Sequence, residues 1–182
     1  MTFDYPGYPL NFIQRQRVAD STAHQATYIY KFHSPVTGYH YIVRAEWHAG
    51  DIFAVKFYCK KDRKSEFKYA KIVNRGDIGN IIMSCAKVIP LLLQQFPAAS
   101  FAFAASRSVD RHNQLMEVAE QTQRYKLYCY MIPVKFGTQT FEHITYDEIS
   151  SYVLYNRHSP ATLEHMEQMF RDTYPTLQQL QL

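Results

Sequence analysis

Ser100-Phe101-Ala102-Phe103-Ala104-Ala105-Ser106 is short, apolar and uncharged, and it follows Pro97. Such a run suits a central strand covered on both faces. A buried strand at this point requires a sheet on either side, and the flanking sequence supplies one. Upstream, Tyr39, Tyr41, Val43, Ala45 and Trp47 point one way while His40, Arg44, Glu46 and His48 point the other. That is the alternation of an antiparallel strand with one wet face. Tyr28, Tyr30 and Phe32 share the side of a preceding strand that ends at the turn-forming Ser34-Pro35-Val36-Thr37-Gly38. Ile52 to Cys59 continues as a β-rich run, residues 60–65 make a charged turn, and Glu66 to Val73 reads as a fourth strand.

Between the meander and the central strand lies a helix. Asp77 stands at its start as a capping residue, and Ile78, Ile82, Cys85, Ile89, Leu92 and Phe96 follow at spacings of three and four. Pro90 must kink or split it, because proline removes a backbone donor and crowds the preceding turn. Asp110 to about Tyr130 reads as a second long helix, Thr140 to Tyr146 as a further strand, and Ser159-Pro160 as the start of a C-terminal helix over 159–175. Residues 1–25 mix Pro6, Gly7 and Pro9 with Gln14-Arg15-Gln16-Arg17 without a clean period, as an arm with room for one short helix. Neither repeat nor linker breaks the chain. The expectation is one α+β domain over 1–182, with a mixed, mostly antiparallel sheet of about six to seven strands packed by two or three helices.

With 182 residues, 47% hydrophobic and 20% charged, the chain can bury a sizeable core, and its composition excludes collagen-like or low-complexity organisation. Its longest near-apolar stretch, Ile81 to Leu93, contains Ser84, Lys87 and Pro90 and falls short of the ~18 apolar residues of a membrane span. MTFDYPGYPL lacks the basic cluster and apolar block of a signal peptide, and three cysteines without a CxxC read as reduced thiols. A cytoplasmic protein without a membrane partner is expected. The net charge of +4 is weak steering for nucleic acid, so local placement of charge matters more.

Asn74-Arg75-Gly76-Asp77, the helix ending at Phe96-Pro97, the strand from Phe101 and Arg124-Tyr125-Lys126-Leu127-Tyr128 together resemble a set of acetyltransferase-like bacterial and phage proteins of the GNAT fold. The likeness covers about Phe53 to Tyr130. It implies a loop whose backbone donors, at a helix N-terminus, hold the pyrophosphate of acetyl-CoA, and the corresponding residues are Arg75, Gly76, Gly79 and Asn80. The family loop places its glycines three and five residues after the Arg or Gln. Here they follow Arg75 at one and four, and Asp77 puts a negative charge where a diphosphate would lie. No cofactor is therefore expected, acetyl-CoA entering only if the domain is an N-acyltransferase after all.

The sequence thus suggests a non-catalytic or degenerate GNAT-like domain that binds another macromolecule, a protein before a nucleic acid. Arg124, Tyr125 and Tyr128 are the candidate protein contacts. An N-acyltransferase using Tyr or His as acid is the enzyme alternative. A nucleic-acid module working through Lys60, Lys61, Arg63 and Lys64 is the third class. No metal site is expected, since His158 and Glu164-His165 lack a ligand spacing. Glu142-His143 with Asp147-Glu148 lacks a nucleophile, Cys85 and Cys129 read as packing residues, and Cys59 beside Lys60 and Lys61 is the one thiol placed for a lowered pKa.

Overall fold

The computed structural model describes residues 4–18, 24–71, 76–104, 109–110, 115–116 and 122–173. Chain order runs through strands β1 (Asn11–Arg17), β2 (His24–Ser34), β3 (Tyr39–His48) and β4 (Ile52–Cys59), then helices α1 (Ile78–Ala86) and α2 (Val88–Leu93). Strand β5 (Ser100–Ala104), a hairpin of β6 (Val109–Asp110) and β7 (Leu115–Met116), helix α3 (Gln123–Phe136), strands β8 (Phe141–Tyr146) and β9 (Ser151–Asn156), and helix α4 (Leu163–Thr173) complete it. Seven strands form one sheet in the order β1-β2-β3-β4-β5-β9-β8. All neighbours are antiparallel except β4 and β5, which pair in parallel through Ile52–Val55 and Ser100–Phe103. The fold is α+β, as the patterning predicts.

Alternation decides which face each residue serves. Tyr28, Tyr30, Phe32, Tyr41, Val43, Phe53, Phe101 and Phe103 are buried on one face, in a single cluster with Ile81, Ile82, Ile89 and Leu92 of α1 and α2 and with Tyr128 and Ile132 of α3. Phe53 and Phe101, neighbours across the parallel pair, stack at 5.7 Å. The opposite face is covered at one end by α4, where Ile52, Ala54 and Val153 meet Met166, Met169 and Phe170. Helices on both faces explain why β5 and β9 are apolar on both sides.

Several expectations change. The arm is a strand: β1 pairs with β2 at the sheet edge. Its residues are exposed throughout, so no apolar period marks it, and backbone pairing holds it. Residues 66–70 form turns rather than a fourth strand, and 72–73 lie outside the described residues. The helix expected from Asp110 begins at Gln123, capped by the Thr122 hydroxyl, while Asp110 belongs to the β6–β7 hairpin. Strand β9 was not anticipated. The last helix starts at Leu163, with the Thr162 hydroxyl accepting from the His165 N–H, so Ser159-Pro160 precedes it by one turn. Its expected stop at Tyr174-Pro175 lies outside the described residues. Pro90 does divide its helix: α1 ends at Ala86, whose carbonyl faces the position of the missing donor, and α2 starts at Val88.

His48 is fully buried where α4 meets the sheet. Its ring stacks on His24 at 5.1 Å and meets Phe170 edge-on at 5.7 Å, while Nδ1 lies 2.8 Å from the Glu46 carbonyl. Burial, and after it the neighbouring His24, lowers its pKa from 6.5 to about 4. The unfolded chain then takes up this proton below pH ~6.5 and the folded chain only below ~4, so stability is full above 6.5 and is lost as the pH falls towards 4. Urea titrations at pH 7 and 4.5 should show a loss of about 2–3 kcal/mol in the native protein that His48→Gln largely removes. An equal loss in the variant would place the acid sensitivity elsewhere.

Candidate functional site

Two places on this scaffold bear on function: the N-terminal end of α1, where the sequence resemblance would put a cofactor, and the gap between β4 and β5.

At α1, Asp77 occupies the capping position, yet its carboxylate does not cap the helix. It is buried and accepts from the Tyr8 hydroxyl at 2.8 and 3.0 Å, the Ser34 hydroxyl at 2.6 Å and the Asn80 amide at 3.0 Å. Burial, reinforced by the Asp77 hydrogen bond, raises the Tyr8 pKa and keeps that hydroxyl a donor. Residues 5–8 lie along the helix. The Gly7 N–H donates to Asn80 Oδ1, the Tyr8 N–H to Ser84 Oγ, and Lys87 Nζ to the Tyr8 carbonyl. Glycine is required on both sides of this contact: a Cβ on Gly79 would stand 2.5 Å from the Tyr5 ring, and one on Gly7 would stand 2.9 Å from Ser84 N at a φ of +66°. Of the residues expected to bind cofactor, Arg75 lies outside the described residues, Gly76 is exposed, and Gly79 and Asn80 face the chain's own arm. A buried carboxylate and the chain's own arm occupy this end of α1.

Beyond Val55 and Phe103 the parallel pairing of β4 and β5 stops, and a cleft of about 280 Å³ opens there. That is roughly twice the ~150 Å³ that holds one benzene. Ala54, Phe57, Ala102, Phe103, Met166 and Phe170 make most of its walls apolar. The polar groups are Lys56, Arg124 and Arg171 against Glu148 and Glu167, together with the hydroxyls of Tyr69, Tyr128 and Tyr146. Tyr146 donates to Glu167, which fixes one side. Lys56 Nζ lies 2.9 Å from Glu46.

The helix bearing Arg124, Tyr125 and Tyr128 builds this cleft rather than an outer contact surface. Tyr125 and Tyr128 are each 3% exposed. Tyr125 donates to Asp147, and Tyr128 packs on Phe103 at 5.3 Å. Burial raises the pKa of Tyr128, whose hydroxyl has no hydrogen-bond partner among the described residues. The Arg124 guanidinium lies over the Phe57 ring at 5.0 Å and donates to the carbonyls of Tyr69 and Lys71, at 2.5 and 2.8 Å. It thereby ties down a segment that has turns in place of a strand ladder.

The remaining candidates are placed as follows. Lys60, Lys61, Arg63 and Lys64 are exposed around the turn after β4. Cys59 is buried, and its pKa is raised by that burial, contrary to the lowered value its lysine neighbours suggest. Cys85 is buried and Cys129 half-buried. His143 places one ring nitrogen on the Tyr152 hydroxyl and the other on the Gly137 carbonyl, and Asp147 holds Tyr125. His158 and His165 are exposed. Among the described residues no three His, Cys, Asp or Glu side chains group as a metal site, and no helix is long and apolar enough to cross a membrane. Compared with family models, curated proteins and solved structures, the chain matches none.

Two substitutions test these assignments. Tyr8→Phe removes the hydroxyl donor to Asp77 and should cost about 1.5–3 kcal/mol in urea unfolding, with faster amide exchange at Gly7 and Tyr8. Arg124→Ala should cost about 2–3 kcal/mol, and Arg124→Lys should recover less than half, since one ammonium cannot reproduce a planar fork on two carbonyls. An unchanged melting curve for Arg124→Ala would return Arg124 to the role of a surface contact.

Proposed function

We propose that this protein is a binding domain on an acetyltransferase-like plan, degenerate where the cofactor's diphosphate would sit, and that it holds a small amphipathic ligand in the β4–β5 cleft. One observation carries the reading: the sheet opens between two adjacent strands into a mainly apolar gap whose polar rim includes Lys56, Arg124 and Arg171. Pockets of this kind use apolar walls for affinity and a few placed polar groups for orientation. With Glu46 2.9 Å from Lys56, three cations meet three carboxylates around the rim, so its polar groups orient a ligand rather than select its charge. The order of meander, helix, buried strand and helix supports the acetyltransferase-like plan. A protein partner gripped through Arg124, Tyr125 and Tyr128 would have to reach two rings that lie in the core.

A second reading, N-acyl transfer, rests on Tyr128 alone. Its hydroxyl, protonated at neutral pH, lines the cleft where a general acid would have to stand.

Anilinonaphthalene sulfonate, an aromatic body with one anionic group, is a suitable first probe. It should bind one site with micromolar affinity, be displaced by octanoate, and lose at least tenfold in affinity when Ala102→Phe fills the cleft. Acetyl-CoA should bind no more tightly than ~1 mM in calorimetry, about 4 kcal/mol. Dye binding that Ala102→Phe leaves intact would remove the cleft from consideration, and micromolar acetyl-CoA binding would favour the enzyme.

A further inference from the structure

The face of β2, β3 and β4 opposite the main core carries Ile29, Lys31, His33, His40, Ile42, Arg44, Lys56 and Tyr58 in alternate positions. Helix α4 covers its other end, over Ile52, Ala54 and His48. Ile29, Lys31, Ile42, Arg44 and Lys56 are half-exposed, and His33 and His40 are fully exposed. The register sets like groups against each other. Arg44 stands opposite Lys56, and His33 opposite His40, with ring centroids 4.8 Å apart. The Arg44–Lys56 pair sets like charges at directly opposed positions, which destabilises a sheet. Glu46, 2.9 Å from Lys56 and 3.9 Å from Arg44, offsets only part of this, and Arg44 Nε is buried with no hydrogen-bond acceptor among the described residues.

The segment after β4 extends this surface. Lys68 lies over Tyr58 at 4.9 Å and Tyr69 at 5.2 Å on this face, while Lys61 lies over Tyr39 at 4.1 Å, on the core side of β3, so the cations of the turn wrap the end of the sheet. The face with Lys31, Arg44, Lys56 and Lys68, and the turn at the sheet end with Lys60, Lys61, Arg63, Lys64 and Lys71, together hold nine cations against Glu46, Asp62 and Glu66, a balance of +6, so the rest of the chain carries −2 of the total +4. The modest net charge conceals a concentration of cations on this face and the turn at its end.

We propose that this face binds single-stranded nucleic acid, its cations tracking the phosphates and the exposed imidazoles of His33 and His40 stacking on bases. Lysine outnumbers arginine seven to two here, and lysine is depleted in protein–protein interfaces, so the composition favours a polyanion over a protein partner. A flat sheet with exposed rings suits unstacked bases, which a duplex does not offer. Lys56 and Tyr69 belong both to this face and to the lining of the β4–β5 cleft, so a strand bound here passes the cleft mouth.

The test is fluorescence anisotropy of the full chain with single-stranded RNA and DNA probes of about 20 nucleotides and the matching duplex, between about 50 and 200 mM salt. Single strands should bind more tightly than the duplex, with affinity falling about 100-fold over that range for some five phosphate contacts. K31Q/K68Q should weaken binding at least tenfold and make the salt slope shallower by about 1.4, while K126Q/K135Q, which removes the same charge from the exposed side of α3, should change neither. H33A/H40A should weaken binding and leave the slope unchanged. Should K31Q/K68Q fail to fold, K60Q/K64Q in the exposed turn takes its place with the same expected outcome. The proposal is overturned if binding is absent at low salt, if the duplex binds as well as the single strands, if the α3 control loses as much affinity as the face variant, or if phosphatidylserine vesicles are bound and nucleic acid is not.

Discussion

The four-residue parallel ladder between Ile52–Val55 and Ser100–Phe103 is the constraint on which the rest of the structure depends. It joins the antiparallel β1–β4 meander to the antiparallel trio β5, β9 and β8. A parallel pair needs a long crossover, and residues 60–99 provide it, carrying α1 and α2 onto the face that holds most of the aromatic core. Because the ladder stops after Val55 and Phe103, the same interaction that unites the sheet also sets where it opens. Phe53 stacked on Phe101 closes one side of that junction, and the apolar cleft lies on the other.

The junction explains where loop and helix residues had to go. The segment after β4 lacks a strand's ladder over residues 66–70, and Arg124 satisfies carbonyls of Tyr69 and Lys71 instead, with Phe57 beneath the guanidinium. Buried carbonyls left without such a donor would cost about 1–3 kcal/mol each. The spacing that puts Arg124 and Tyr128 on one helical face is therefore a packing device. One turn of α3 clamps a loop at Arg124 and closes the cleft wall at Tyr128. At the far end of the crossover, Asp77 ties the start of α1 to Tyr8 of the arm and to Ser34 at the end of β2. Three segments distant in sequence meet at one carboxylate, which holds Tyr5, Tyr8 and Leu10 of the arm against the main core.

What was legible in the sequence was what periodicity reports. Strands with one apolar and one wet face, β2 and β3, announced themselves by alternation, and 100–106 by its lack of charge. Asp77 and Pro90 placed the helix start and its division. Edge strand β1 was illegible because Asn11–Arg17 buries nothing and is held by backbone pairing, with Phe12 against Tyr30 and Arg15 over Tyr28 and Trp47 as its side-chain anchors. The helix expected from Asp110 begins at Gln123, since helical spacing alone does not mark a boundary. Strand β9 places Tyr152 and Leu154 on one covered face and Val153 on the other, so it shows no alternation to read. The cleft itself draws its walls from β4, β5, α3 and α4, and no local pattern encodes a junction of four elements.

The distribution of charge follows from the same architecture. Helices α1 to α3 occupy one side of the sheet entirely, and α4 takes only the end near Ile52 and His48 on the other. The exposed remainder of that second side must be polar, but polarity alone does not require one sign. A sheet selected only for solubility would mix charges across its strands, since opposed pairs of unlike sign stabilise by roughly 0.2–1 kcal/mol each. Here Arg44 faces Lys56, with Glu46 the single carboxylate beside them. The fold tolerates this because Glu46 sits between the two cations, and because Lys56 and Lys68 lie over tyrosine rings that partly offset their charge. An opposed pair of cations, on a face that shares Lys56 and Tyr69 with the cleft lining, sets the exposed charge and the apolar gap side by side.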